Sequence, residues 1–436
     1  MAQEPRHRRQ LHDGREDGGV RRGDGGGRSK NYCGAATRLY PTSSLEFGYA
    51  LEPETAADAD RASLDAALTL ALTLPGDALL YLLLPLHCDV FGVSLAEAGF
   101  LLGANRLVRI FGYQWITKLY ALRGPRAACT LAAIAAFAAT LCYATLSGVW
   151  SLLIARLIWG LAFGAMNLAN QALPTSVSAG ASRRMGRMRA VISVGPMLGL
   201  LGGAVIAETI GPRPAFFLLA LVSLPALRFA LRLPSVPDGA KATPQRFFRF
   251  SPVNIWALFL GLTLDGLFGV GLSFIIAVRQ PDQAVLAAGL AMALRYGSEI
   301  ALSTAGGALA NWFGARRLSI VLSVGCGAGL ALLGATDAVM WIGVVVTIGL
   351  RALLGPLPAP LVAEIYPGAA RVPALADQST WRDLGAGFGP LIAGWLLPTT
   401  PALTIYGAAG LLLAGAGLAL AAPGARIEQR EAGPRP

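Results

Sequence analysis

From Leu64 onward the sequence is a succession of apolar runs separated by short polar interruptions. A helix needs about 20 apolar residues to cross a bilayer. Twelve runs approach that length: 64–86, 94–118, 127–146, 149–173, 189–209, 214–232, 253–277, 284–310, 317–335, 339–361, 379–398 and 402–422. Several contain Gly, Pro or a charge, which a bundle tolerates where neighbouring helices satisfy the exposed polar groups. The pattern predicts an all-α polytopic membrane protein with twelve transmembrane helices.

The ends read differently. Residues 1–62 are polar, with Gly- and Arg-rich stretches such as 21–28. Such a segment buries too little apolar surface to offset its ordering entropy, which predicts a disordered cytoplasmic tail. It has no apolar stretch beside its basic residues, unlike a signal peptide. A start codon placed too far upstream is the other explanation. Residues 423–436 read as a second cytoplasmic tail. The longest polar interruption, 233–252, follows the sixth run and holds Pro234, Pro237, Asp238, Lys241, Pro244 and Arg246. Read as a cytoplasmic linker, it divides the body into halves 63–232 and 253–422.

Composition narrows the function classes. Of 436 residues, 54% are apolar and only 14% charged, and mean hydropathy is +0.55. Soluble domains carry about 25% charged residues. A cytosolic enzyme and a disordered scaffold are excluded. A net charge of +11 would ordinarily suggest a nucleic-acid partner, but its placement argues otherwise. The connections from even to odd helices carry fifteen Lys and Arg residues, including Lys118, Arg123, Arg126, Arg183, Arg184, Arg187 and Arg189, against Arg213 and Arg279 on the opposite side. Basic loops stay in the cytoplasm. The bias therefore predicts cytoplasmic termini and no nucleic-acid partner.

The five cysteines, Cys33, Cys88, Cys129, Cys142 and Cys326, have no metal-ligand spacing, and the membrane body holds one histidine, His87. No metal or cofactor is expected. The sequence has no phosphate-binding Gly-x-x-x-x-Gly-Lys-Ser/Thr loop, no Ser/His/Asp set and no HExxH. ATP-driven pumping and hydrolase chemistry are therefore not expected of this chain.

The two halves are repeats. Asp77 in the first run matches Asp265 in the seventh, offset 188, and Arg106 matches Arg295, offset 189. Gly124 matches Gly314, offset 190, Gly195-Pro196 matches Gly389-Pro390, offset 194, and Arg156 with Gly160 matches Arg351 with Gly355, offset 195. Five pairs in one order indicate a duplicated six-helix unit. Units with an even number of spans share one orientation, and such parallel repeats enclose a site near the membrane midplane.

On these residues the sequence resembles the major facilitator superfamily over 64–422. The family loop after the second helix of each half reads Gly-x-Leu-x-Asp-Arg-x-Gly-Arg-Arg. The second-half copy has Gly307, Leu309, Asn311, Gly314, Arg316 and Arg317, with Asn in place of Asp. The first-half copy, from Thr117 to Arg126, keeps Gly124 and has Ala121 in that place. The resemblance assigns Gly124, Asn311, Gly314, Arg316 and Arg317 to gating, although both copies lack the Asp that helps lock one conformation. Arg156, Gly160 and Gly164 match the helix-four pattern, whose Arg is associated with proton transfer or gating. Gly195, Pro196 and Gly199 match a helix-five pattern commoner in proton-driven exporters. They make a close-packed face that serves either as a hinge or as plain packing.

Charges at mid-bilayer cost at least ~2.5 kcal/mol each and so face a cavity or a partner. Asp77, Asp265, Arg106 and Arg295 fall at similar depth in equivalent helices. Asp77, Asp265 and Arg156 are candidates for carrying the coupling proton. Asn105, Arg106, Arg109, Arg295 and Glu299 are candidates for binding an anionic or zwitterionic solute. The structural alternative pairs Asp77 with Arg106, Asp265 with Arg295, and Arg295 with Glu299 one turn along. The resulting expectation is a proton-coupled, alternating-access transporter of a small solute, export favoured, in a bacterial inner membrane and monomeric as the family implies. A receptor or scaffold that kept the fold but not transport is the alternative.

Overall fold

A computed structural model describes residues 55–235, 248–269, 271–272 and 284–422. Helices dominate, and no strand occurs among the described residues. In the first half, α1 is Ala56–Leu86, α2 and α3 are the arms 95–123 and 125–145, α4 is Val149–Ala172, α5 is Ala181–Ile210 and α6 is Pro212–Arg232. In the second half, α7 is Pro252–Leu267, α8 Ala284–Phe313, α9 Ala315–Leu333, α10 Asp337–Leu354, α11 Arg371–Leu396 and α12 Ala402–Ala419. Among the described residues, eight helical stretches are long and apolar enough to cross a membrane, one of them spanning α2 and α3 together. All twelve predicted helices have counterparts.

The helices begin earlier than hydropathy indicates. α1 starts at Ala56, where the Thr55 hydroxyl accepts the Asp58 N–H at 3.2 Å and caps the first turn. The predicted tail 1–62 therefore overlaps α1 over 56–62, and residues 1–54 lie outside the described residues. α5 and α11 likewise start at Ala181 and Arg371 rather than 189 and 379. Their first two turns carry polar residues buried against protein, including Ser182, Arg184, Asp377 and Gln378, so an apolar window misses them. Within the predicted linker 233–252, residues 236–247 lie outside the described residues, as does 423–436. The linker's far end is anchored: the Asp377 carboxylate on α11 accepts the Phe248 N–H at 3.0 Å and the Asn254 amide at 2.6 Å.

Contacts between connections confirm the alternating course of the chain. On one face, Arg126 at the start of α3 donates to the Leu233 carbonyl after α6 at 2.6 Å. On the other, the Gly148 N–H before α4 reaches the Phe91 carbonyl at 2.9 Å, and Arg213 before α6 reaches the Val90 carbonyl at 2.9 Å. The first surface carries the basic connections and is called the basic face below; the second is the far face. Arg184 stiffens the α4–α5 connection. Its guanidinium donates to the carbonyls of Pro174 at 2.9 Å, Ala179 at 2.9 Å and Val177.

Glycine determines how the helices pack. Apolar helices gain nothing hydrophobic by leaving lipid, so close contact of small residues carries association. A Cβ on Gly195 would overlap the Ala71 carbonyl, and one on Gly199 would lie 2.5 Å from the Pro75 Cα. The second half repeats this: Gly385 and Gly389 of α11 press on Leu258 and Gly266 of α7. The Gly195-Pro196-Gly199 face is thus a packing face of α5 on α1. Gly124 and Gly314 end α2 and α8 with φ of 75° and 82°. A side chain is strained there, which accounts for glycine at both equivalent turns.

Candidate functional site at mid-membrane

Each half builds one carboxylate–guanidinium pair from its first and fourth helices. Asp77 on α1 pairs with Arg156 on α4. Asp265 on α7 pairs with Arg351 on α10 at 2.8 Å. These four residues are the repeat-equivalent positions, so the duplication extends to the ion pairs. Both carboxylates sit at helix irregularities. Pro75 lies two residues before Asp77 inside α1, and Asp265 lies in a π-helical turn, Gly261–Leu267. Proline and π turns loosen a helix's own hydrogen bonds and free its backbone for other partners. The structure therefore joins Asp77 to Arg156 and Asp265 to Arg351, replacing the pairings Asp77–Arg106 and Asp265–Arg295. The reason is reach: arginines on α4 and α10 face the first helix of their own half.

The two halves then differ. In the first, Arg156 is fully buried, and it also donates to the Leu101 carbonyl at 3.1 Å, the Leu102 carbonyl at 3.3 Å and the Tyr81 hydroxyl at 3.3 Å. The Tyr81 hydroxyl lies 3.4 Å from Asn105 Oδ1. In the second half, both oxygens of Asp265 are held, because Arg382 on α11 donates to Oδ2 at 2.7 Å. Glu299 on α8 takes the other arm of Arg351, accepts the Ser193 hydroxyl of α5 at 2.6 Å, and lies 4.0 Å from Arg189. Among the described residues, Glu299 is thus paired with Arg351 and held across the halves by Ser193 and Arg189, while Arg295 one turn away acts on it only at longer range.

A second set of contacts links the halves directly. Arg109 on α2 meets Asp383 on α11 at 2.8 Å, and the Tyr113 hydroxyl donates to the same carboxylate at 3.3 Å. The Arg109 guanidinium lies over the Phe163 ring at 4.5 Å. Arg106 donates to the Ala386 carbonyl at 2.7 Å. Nearer the basic face, Gln171 donates to Ser379 at 2.9 Å and Arg371 to the Thr175 carbonyl at 2.8 Å. Along α5 and α8, backbone meets backbone where Gly186 faces Ser303 and Gly307 faces Ser182. These contacts run from mid-helix to the basic face. Toward the far face, a Cβ on Gly99, Gly103, Gly202, Gly387 or Gly394 would meet nothing within 4 Å. Among the described residues, the halves close on the basic side.

The remaining gating candidates lie at the basic face. Asn311 and Arg317 are exposed, and Arg316 is within electrostatic range of Glu364. They are not part of the mid-membrane network. Arg382 and Asp383, which the sequence alone places as interfacial residues at the start of the eleventh helix, are. Their signal in the sequence is two adjacent opposite charges that open the apolar stretch of α11 after the polar residues Asp377–Thr380.

The family model described as Major Facilitator Superfamily matches residues 66–283, half of the chain. The chain belongs to the major facilitator superfamily. None of the curated proteins compared matches the sequence. Solved structures of the superfamily are similar throughout the membrane body. The human organic anion transporter MFSD10 (TETRAN) gives a TM-score of 0.66 at 18% identity, covering 83% of this chain and 99% of that one. The proton:xylose symporter XylE, bound to 6-bromo-6-deoxy-D-glucose, gives 0.64 at 15% identity, covering 82% and 93%. A bacterial homologue of the iron transporter ferroportin, in an outward-facing state, gives 0.62 at 13% identity, covering 82% and 98%. At such identities the likeness extends to the fold. This superfamily member is a multi-pass membrane protein of the transporter class and not an enzyme.

Proposed function

We propose that this protein is a proton-coupled, alternating-access transporter of a small anionic or zwitterionic solute across a bacterial cytoplasmic membrane, with export the favoured direction. The carrying observation is the pair of repeat-equivalent carboxylate–arginine contacts, Asp77–Arg156 and Asp265–Arg351, set beside inter-half contacts that, among the described residues, gather toward the basic face. With both termini in the cytoplasm, as the basic connections favour, the side joined by these contacts is the cytoplasmic one. Asp77 is the better proton carrier of the two aspartates. Its Oδ1 pairs with one arginine, whereas Asp265 is held at both oxygens by two. Export rests on the Gly195-Pro196-Gly199 pattern. The protein works as a monomer, since each chain holds both halves.

The test is proton and solute movement in proteoliposomes under an imposed pH gradient. Solute-dependent proton flux is expected from the wild type. Asp77→Asn should lose the proton flux yet keep solute exchange at equal pH. Proton flux that survives Asp77→Asn overturns the assignment. Measurable solute binding without flux would instead support the receptor reading.

A further inference from the structure

We infer that Arg106 and Arg295 are the two arms of a receptor for a solute carrying two negative charges, one arm from each half. The inference rests on the transporter reading above and narrows its substrate class. The network around the site holds four carboxylates, Asp77, Asp265, Glu299 and Asp383, against seven arginines. Five of those arginines, Arg109, Arg156, Arg189, Arg351 and Arg382, have a carboxylate within 4.0 Å. Among the described residues, Arg106 and Arg295 do not, and they are repeat equivalents. A guanidinium has five N–H donors. Arg106 uses one described bond, to the Ala386 carbonyl. The Nε of Arg295 is buried without a hydrogen-bond partner among the described residues, and its guanidinium lies 5.5 Å from the Tyr296 ring centre.

The two arginines lie near one stretch of chain, Gly266–Gly269, Arg106 by way of Ala386 on α11 and Arg295 directly. The Ala386 carbonyl that Arg106 holds lies 3.1 Å from where a Cβ on Gly266 would sit, and Arg295 Nη1 lies 4.0 Å from where one on Gly269 would sit. Gly266 directly follows Asp265, and Gly269 is one turn on. Among the described residues, neither guanidinium has a carboxylate within 4.0 Å, and Arg295 Nη1 is the one atom within 4 Å of a Cβ built on Gly269, so charge is left at both arginines and space beside Arg295. Guanidinium forks suit carboxylate or phosphate oxygens, two N–H donors to two oxygens. A monoanion would satisfy one fork and leave the other bare. A dicarboxylate or a phosphate supplies a charge to each half and bridges them.

The test uses counterflow in proteoliposomes with four probes: succinate, inorganic phosphate, acetate and glucose. At neutral pH, succinate or phosphate should move at least tenfold faster than acetate, and glucose should not move. Arg106→Ala and Arg295→Ala should each lower dianion flux at least tenfold, and the double variant should be little worse than either. Arg106→Lys and Arg295→Lys keep the charge and guard against misfolding of the alanine variants; they should weaken affinity for the dianion and leave monodisperse protein. Acetate or glucose moving as fast as succinate and phosphate overturns the inference and leaves the transporter reading standing. Dianion flux indifferent to both arginines also overturns it. Failure of all four probes to move counts against the inference and against the transporter reading together.

Discussion

Asp383 on α11 accepts Arg109 of α2 at 2.8 Å, joining the halves through a pair whose side chains are 15% and 7% exposed. It is a charge contact between the halves in a chain whose two loop copies have Ala121 and Asn311 where the family loop has Asp. Removing one partner of such a buried pair costs about 3–5 kcal/mol. Asp383→Asn should therefore shift the protein toward opening at the basic face. Thiol labelling of Ser182→Cys, at the α5–α8 seam, should rise at least tenfold in the Asp383→Asn background. An unchanged labelling rate would show that the seam holds without the pair.

Arg156 should not be replaceable by lysine. Its guanidinium reaches Asp77, two carbonyls and the Tyr81 hydroxyl at once, and an ammonium lacks that planar fork. Arg156→Lys should lower the Tm of the purified protein by several degrees, with about 2–4 kcal/mol of native interaction lost. Arg156→Lys retaining the wild-type Tm would show these bonds to be energetically idle.

Glycines of α5 should divide sharply by face. Gly199→Ala places a methyl 2.5 Å from the Pro75 Cα, a backbone atom that cannot step aside, whereas Gly202→Ala meets nothing within 4 Å. The first should reduce folded yield or Tm, and the second should be neutral or slightly stabilising, as alanine is the better helix former by about 1 kcal/mol. Equal tolerance at both sites would contradict the α1–α5 packing.

Gly124→Ala and Gly314→Ala should be matched in their effects. Both positions have positive φ with extended ψ, a region that costs an L-residue about 1–3 kcal/mol. Thermal unfolding should fall by a similar amount for each. A large difference between them would mean that one turn relaxes and the other cannot.

Much of this was legible in the sequence. Runs of apolar residues located all twelve helices, and the matched Asp, Arg and Gly positions exposed the duplication before any packing was known. Which arginine meets which aspartate was not legible. Asp77 and Arg156 are 79 residues apart, and only the packing of α4 on α1 selects Arg156 over Arg106, which is nearer in sequence. The π turn at Gly261–Leu267 also left no periodic trace, since seven residues are too few to shift a hydrophobic pattern. The polar residues in the first two turns of α5 and α11 escaped because hydropathy measures lipid contact, and those residues contact protein.

The cradle that Arg184 makes around the α4–α5 connection has a mechanical consequence. Three carbonyls drawn onto one guanidinium leave that elbow little freedom to flex, so α4 and α5 behave as two sides of a rigid bracket. A bracket transmits displacement without absorbing it. The same bracket ties α4, which carries Arg156, to Ser182 and Gly186, which face α8 across the seam. A shift of α4 at the Asp77–Arg156 pair is therefore expected to reach the basic face as leverage, with α5 as the lever arm.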